Sequence, residues 1–290
     1  MRVVMALLVV ALHGQLFKEI SAEAKFVISD TLSRLAVPWF LVVTGFYFRA
    51  SSLAELRVWL IRMAVIYAVW MIAYSPFYLA DLNLKSAVLL AGFGYRHLWY
   101  LFAALQAGPI LYCLRGRSFV LLLPIASVLF AIGMVIQHFE LTESADYRVV
   151  LFRNFLFFAL PFMLLGHLMR RVDWKRVSSS LLVLLCVAGC CILLLEAAFF
   201  SSRTWFSQDL YVSLFFVSPA VFALCLHFDN GRLRSAAEMA TGIYLIHLMV
   251  LLTTKSSTSL TETPATLVTI GLSVAAAFAL RKLNKLVPVL

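Results

Sequence analysis

Arg2 and His13 are the sharpest pair of chemistry-bearing side chains in the sequence. They lie eleven positions apart. That is close to three turns of an α-helix, so both fall on one face, about 16 Å apart along the axis. A neutral imidazole inside an apolar segment can take a proton from a hydroxyl. An arginine at the end of the same segment can hold phosphate through two parallel hydrogen bonds. The competing account is structural, with Arg2 an orienting charge and His13 a hydrogen-bonded packing residue.

Other polar groups sit against apolar runs. Arg34 precedes a Pro-containing run and can bind an anionic or polyhydroxylated acceptor, or simply snorkel to the interface. His97 and Trp99, in His97-Leu98-Trp99-Tyr100, can line a pocket in which aromatic rings stack on a sugar; an interfacial aromatic belt is the plainer account. His247 lies inside an apolar run, where a polar side chain is either functional or engaged in interhelical hydrogen bonding. Arg49, Arg57 and Arg62 form a basic group that can dock the phosphates of a soluble activated donor or meet lipid headgroups. Cys113, Cys186, Cys190, Cys191 and Cys225 all lie in apolar runs without metal-ligand spacing, so no metal is expected. No Walker A, GxSxG, HExxH or GxGxxG element occurs.

The elements that position these residues follow from composition. Of 290 residues, 63% are apolar and 13% charged, with a mean hydropathy of +0.96. A soluble domain is roughly 45–50% apolar and about 25% charged. The excess excludes an ordinary soluble enzyme, a disordered chain and a disulfide-stapled module. It predicts an all-α polytopic membrane bundle, because only helices and closed barrels satisfy their backbone in lipid. Ten apolar runs are separable: Val3–Phe17, Leu35–Phe48, Val58–Leu79, His97–Leu114, Phe119–Ile136, Phe155–Leu168, Leu181–Phe200, Leu210–Phe228, Met239–Thr253 and Ala265–Leu280. A span needs about 20 residues, so the shorter runs require flanking sequence. No linker or repeat appears, and one domain is expected over residues 1–290.

Net charge is +10. Without basic patches interleaved with aromatics, that charge speaks for an anionic membrane face rather than nucleic acid. Ten spans place 15 Lys/Arg on the side of both termini and 9 on the other, which predicts cytoplasmic termini. Ala22-Glu23-Ala24 resembles a signal-peptide cleavage site, but His13, Gln15, Lys18 and Glu19 interrupt the segment before it, so the first run is taken as a retained span.

Several of these pieces occur together in one order. Arg2-(ten residues)-His13, Ser33–Phe40 with Thr44-Gly45-Phe46, His97–Leu101, Arg153–His167 ending Pro161-Phe162-Met163-Leu164-Leu165-Gly166, and Gly242–His247 make the sequence similar to the bacterial integral-membrane acyltransferase family 3. That family contains O-acetyltransferases of surface polysaccharides, among them the one acting on enterobacterial common antigen. The resemblance implies ten membrane helices in the bacterial inner (cytoplasmic) membrane and transfer of an acyl group, usually acetyl, from coenzyme A to a carbohydrate hydroxyl. By position it implies Arg2 and His13 as the essential pair, and Arg34, His97, Trp99 and His247 near the acceptor. Thr44 stands where the family usually has serine. Arg57 and Arg62 are five apart instead of the usual Arg-x-x-Arg spacing.

The expected activity is therefore O-acyl transfer from cytoplasmic acyl-CoA, bound through Arg49, Arg57 and Arg62, to a carbohydrate or lipid-linked glycan. Acyl-CoA is a donor substrate, and no permanently bound cofactor is expected. A transporter or flippase would share the apolar spans and intramembrane histidines. It would be favoured by broken helices in two matching halves, which the sequence does not display.

Overall fold

The computed structural model describes residues 1–80, 82–142, 148–201, 208–228 and 233–284, with no side-chain description for 233–236. Among the described residues there is no strand. Eleven helices longer than nine residues follow one another: α1 (Arg2–Gly14), α2 (Ala22–Tyr47), α3 (Leu53–Ala73), α4 (Leu84–Phe93), α5 (Trp99–Leu114), α6 (Phe119–Thr142), α7 (Phe155–Met169), α8 (Ser179–Ser201), α9 (Val212–His227), α10 (Leu233–Ser257) and α11 (Glu262–Leu283).

The all-α bundle is as the composition predicts. Seven helical segments, including α2 and α3, are long and apolar enough to cross a bilayer on their own. α1, α7 and α9, which correspond to the first, sixth and eighth apolar runs, are shorter than that. The short helix α4 was not foreseen. It is opened by a capping box in which Asn83 and Ser86 each accept from the other's backbone N–H. Outward faces carry bare aliphatic side chains, such as Val58, Val120 and Leu195, as lipid-facing helices require.

Three helix pairs carry much of the interior. α2 packs on α7, and α10 packs on both α1 and α11. In the first pair, a Cβ at Gly45 would strike the Met163 backbone and one at Gly166 would strike the Val42 carbonyl. Only hydrogen at these positions lets the two backbones approach so closely. Trp39, Phe48, Phe152 and Phe162 are among the largest fully buried side chains.

One end of the bundle is rich in arginine, and two of these arginines close helix C-termini. Arg170 donates to the Phe48 carbonyl at the end of α2 (2.9 Å) and Arg115 to the Tyr112 carbonyl in the last turn of α5, while Arg115 also reaches the Ser51 carbonyl (2.7 Å) and Arg171 the Arg117 carbonyl (2.7 Å), both in loops. Carbonyls at a helix end have no partner within the helix, and a cation there also meets the negative end of the dipole. His167 serves similarly, donating to the Arg115 carbonyl that follows α5, and His227 donates to the Trp174 carbonyl.

At the opposite end, the turn after α1 is fixed to the start of α11. The Phe17 N–H donates to Thr263 Oγ1 (3.0 Å), the Thr263 N–H to the Glu19 carboxylate (3.1 Å), and Thr266 Oγ1 to the Gly14 carbonyl (2.8 Å). The turn itself needs left-handed backbone at Gln15 (φ 53°) and Phe17 (φ 72°). Both are uncommon for residues with a Cβ, so this network holds the chain there.

Candidate active site

α1 ends one residue after His13, and its side chain faces a cavity of about 270 Å³ together with Leu12, Ser33, Arg34, His97 and Trp99. His97 stands on the short 3-10 turn Arg96–Leu98 that leads into α5. Left-handed backbone at Gly94 (φ 78°) and Arg96 (φ 42°) turns the chain inward just before it. His247 comes from the middle of α10. The three imidazoles form one cluster, with ring centroids 5.3 Å apart for His13 and His247, 4.9 Å for His97 and His247, and 6.4 Å for His13 and His97.

Their hydrogen bonds fix two tautomers. His97 Nε2 lies 3.3 Å from the Leu245 carbonyl, and His247 Nδ1 lies 2.6 Å from the Tyr244 carbonyl. A carbonyl can only accept, so each of these nitrogens carries its hydrogen. That leaves His97 Nδ1 and His247 Nε2 as bare lone pairs, both buried and without a hydrogen-bond partner in the structure. The Leu245 carbonyl also accepts from the Tyr74 hydroxyl (2.8 Å), which in turn accepts from the Met249 N–H (3.0 Å). His97 and Tyr74 thus bracket the turn of α10 that carries Tyr244 and His247.

The far wall of the cavity is charged. The Asp209 carboxylate bridges Arg34 and Arg153, the latter donating from Nε at 2.8 Å and again from Nη2. Burial would push the Asp209 carboxyl up, but the two guanidiniums more than offset it and hold it below its ordinary value. The loop bearing Asp209 is clamped by Gln137 of α6. Gln137 Oε1 accepts from the N–H groups of Asp209 (2.9 Å) and Leu210 (2.8 Å). Glu196 of α8 caps α9 by accepting from Val212 and Ser213. Both arginines flank widened π-type turns, Phe26–Thr31 before Arg34 and Phe155–Ala159 after Arg153. Such turns are frequent at functional sites.

A second cavity, of about 260 Å³, is lined by Phe40, Thr44, Arg62, Tyr100 and Thr241 among others. Among the described residues, Tyr244 alone lines both cavities, so its side chain stands where they meet. Along α2, Val37 faces the first and Thr44 the second, so the second lies toward the arginine-rich end.

Of the residues singled out in the sequence, the structure brings His13, His97, Trp99 and Arg34 to one cavity. His247 belongs to the same cluster but stands behind His13 and does not line the cavity. Arg2 lies at the other end of α1, with its guanidinium 5.2 Å from the Tyr47 ring centre, and does not line the His13 cavity. Arg62 faces the second cavity, whereas Arg49 and Arg57 are exposed and line neither. Among the described residues, no group of three or more His, Cys, Asp or Glu side chains converges as a metal-holding set. Sequence reasoning missed Arg153, Asp209 and Tyr244 as site residues. Arg153 and Asp209 are charges beside apolar runs, like Arg34, and only their pairing across about 56 positions marks them.

Comparison with known proteins adds the family. The family described as an acyltransferase domain (Acyl_transf_3) matches residues 1–282. Similar proteins include an amino-acid racemase of Enterococcus faecalis, 26% identical over 86% of this chain and 40% of that protein, and a serine/alanine racemase of Enterococcus gallinarum, 29% identical over 85% and 39%. The chain thus spans about two fifths of the length of these relatives. No solved structure matches. A match over all but the last eight residues is a match to the whole helical bundle, and the chain belongs to the integral-membrane acyltransferase-domain family.

Proposed function

We propose that the protein transfers an acyl group, most simply acetyl, from acyl-CoA to a hydroxyl of a carbohydrate or lipid-linked glycan. The observation that carries this reading is the pair of cavities separated by Tyr244, one holding the imidazole cluster and the other opening beside Arg62. With the arginine-rich end at the cytoplasm, the donor's phosphates meet Arg2, Arg49 and Arg57. The pantetheine arm lies in the second cavity past Arg62, and the thioester reaches His13 when the Tyr244 side chain swings from between the two cavities. The acceptor hydroxyl lies in the first cavity, against His13 and the His97 ring, with the Arg34–Asp209–Arg153 group beyond it.

His13 takes the hydroxyl proton as the oxygen attacks the thioester carbonyl. The tetrahedral intermediate collapses by breaking the C–S bond, and the proton on His13 passes to the departing thiolate. General-base catalysis of this kind is worth about 10²–10⁴-fold. The decisive experiment offers labelled acetyl-CoA and a polysaccharide acceptor to purified protein in proteoliposomes. Transfer by the wild type and its loss in His13→Ala support the reading; equal transfer by both removes His13 from it.

A second reading has one observation in its favour. Two cavities that meet at a single side chain also suit a passage for a small solute, such as the amino acids named in the descriptions of the relatives. Uptake of labelled serine into the same proteoliposomes, without any acyl transfer, would select it.

A further inference from the structure

The imidazole cluster contains a hydrogen-bond account that does not close. His247 Nε2 is a bare lone pair, fully buried and off the cavity wall. A buried acceptor of this kind is normally satisfied, and substrate in the cavity does not reach it. The neighbouring hydroxyls and N–H groups are committed elsewhere: Tyr244 donates to the His97 carbonyl, and Tyr74 and His97 Nε2 both donate to the Leu245 carbonyl. The remaining ring beside His247 is His13, tilted by 35° at a centroid distance of 5.3 Å. Imidazole nitrogens lie about 1.1 Å from the ring centre, so turning them toward each other brings them to about 3 Å, hydrogen-bond distance.

We propose that His247 is a positioning residue for His13. Its bare Nε2 accepts one N–H of His13 and so presents the other His13 nitrogen to the cavity as a lone pair. The inference rests on His13 acting as the base. It gives His247 a different task from His97, whose ring lies farther from His13, at 6.4 Å, and lines the cavity itself. The chain of bonds runs from His13 to His247 and from His247 Nδ1 to the Tyr244 carbonyl, so a base is oriented by a second group that is itself held. When His13 takes the acceptor's proton, its bond to His247 becomes charge-assisted and shortens. No proton passes to His247, because its Nδ1 hydrogen stays on the Tyr244 carbonyl and the incoming proton leaves with the thiolate.

Three proteins test this: wild type, His247→Leu, which removes the acceptor, and His247→Gln, whose Oε1 restores one near the position of Nε2. Two measurements are made on each, after matched elution in detergent shows that they fold. The first is acyl transfer, resolved into kcat and KM for acetyl-CoA. The second is the rate of carbethoxylation of His13 by diethyl pyrocarbonate, read by mass spectrometry, which requires no turnover. His247→Leu should lower kcat by about 10²-fold with KM within about twofold, and His247→Gln should recover to within about tenfold of wild type. His13 modification should slow in the Leu protein and recover in the Gln protein. A His247→Leu kcat within about threefold of wild type overturns the proposal. So do equal losses in both variants with His13 modification unchanged. If the wild type transfers no acyl group while His13 modification still follows the identity of residue 247, the positioning role stands and the acyl-transfer reading falls.

Discussion

Tyr244 donates its hydroxyl to the His97 backbone carbonyl at 2.5 Å while its ring divides the two cavities. Phe40 and Tyr100 pack against the same ring, at centroid distances of 6.0 and 5.5 Å. One side chain therefore both steadies the backbone of a candidate site residue and stands where the two cavities meet, between the arginine-rich end and the imidazole cluster.

Removing that side chain should join the cavities. In Tyr244→Ala, a membrane-impermeant thiol reagent applied at the Gln15 end should modify Thr44→Cys, which it should not reach with Tyr244 in place. None of the five native cysteines lines either cavity, so modification at position 44 can be read by mass spectrometry. Tyr244→Phe keeps the ring and loses only the hydroxyl bond, so it should leave Thr44→Cys protected. Labelling of Thr44→Cys at the same rate in all three backgrounds would show that Tyr244 is not the barrier.

The α2–α7 contact gives a sharper stability prediction. A methyl group at Gly166 meets the Val42 carbonyl directly, and rigid backbone cannot yield as a flexible side chain would. Overpacking typically costs about 1–3 kcal/mol, and a clash with backbone lies at or beyond the upper end. Gly166→Ala should lower the thermal midpoint in detergent by several degrees and Gly166→Val should prevent folding. Gly92→Ala, which meets open space, should leave the midpoint unchanged. A wild-type midpoint for Gly166→Val would mean that the helices are not in contact there.

Asp209 is the one carboxylate among the described residues that joins Arg34 to Arg153, and it is 6% exposed. Removing one partner from a buried ion pair costs about 3–5 kcal/mol, because the remaining charges lose their counter-charge. Asp209→Asn should therefore destabilise by about 3 kcal/mol in chemical unfolding and weaken acceptor binding more than donor binding. Gln137→Leu, which touches neither arginine, should weaken acceptor binding in the same direction by releasing the loop. Its effect should be smaller. A change in the KM for acetyl-CoA with the acceptor KM constant would place this group on the donor side instead.

How much of this was legible follows from the kind of signal each part leaves. The helices were legible because lipid demands long apolar runs, and each of the ten runs coincides with a helix. α4 was missed because Leu84–Phe93 is too short to read as a span. His13 and Arg2 were visible as polar residues on one helix face. The Asp209 bridge and the Tyr244 wall were not, since nothing local ties position 34 to position 209 or distinguishes one intramembrane tyrosine from another. The tautomers of His97 and His247 are equally silent in sequence, because they are set by which α10 carbonyl, Leu245 or Tyr244, each ring meets in the folded bundle.

The turn that follows His13 supplies a pH prediction. Glu19 accepts from the Thr263 hydroxyl and N–H at the start of α11, and these bonds pull its carboxyl down to about 2. An unperturbed glutamate titrates near 4.3. A carboxyl depressed by folding contributes stability that is fully present above the unfolded value and fades as pH falls through the folded one. The contribution should therefore be whole at pH 7 and decline between about 4.3 and about 2. Glu19→Gln should melt earlier than wild type at pH 7, and the two curves should converge as the pH approaches the bottom of that window. Because the turn also carries Gln15 and Phe17 in left-handed backbone, the substitution should loosen His13 and raise its modification rate at neutral pH. Melting curves that differ equally at pH 7 and pH 3 would show that the carboxylate charge is not what holds the turn to α11.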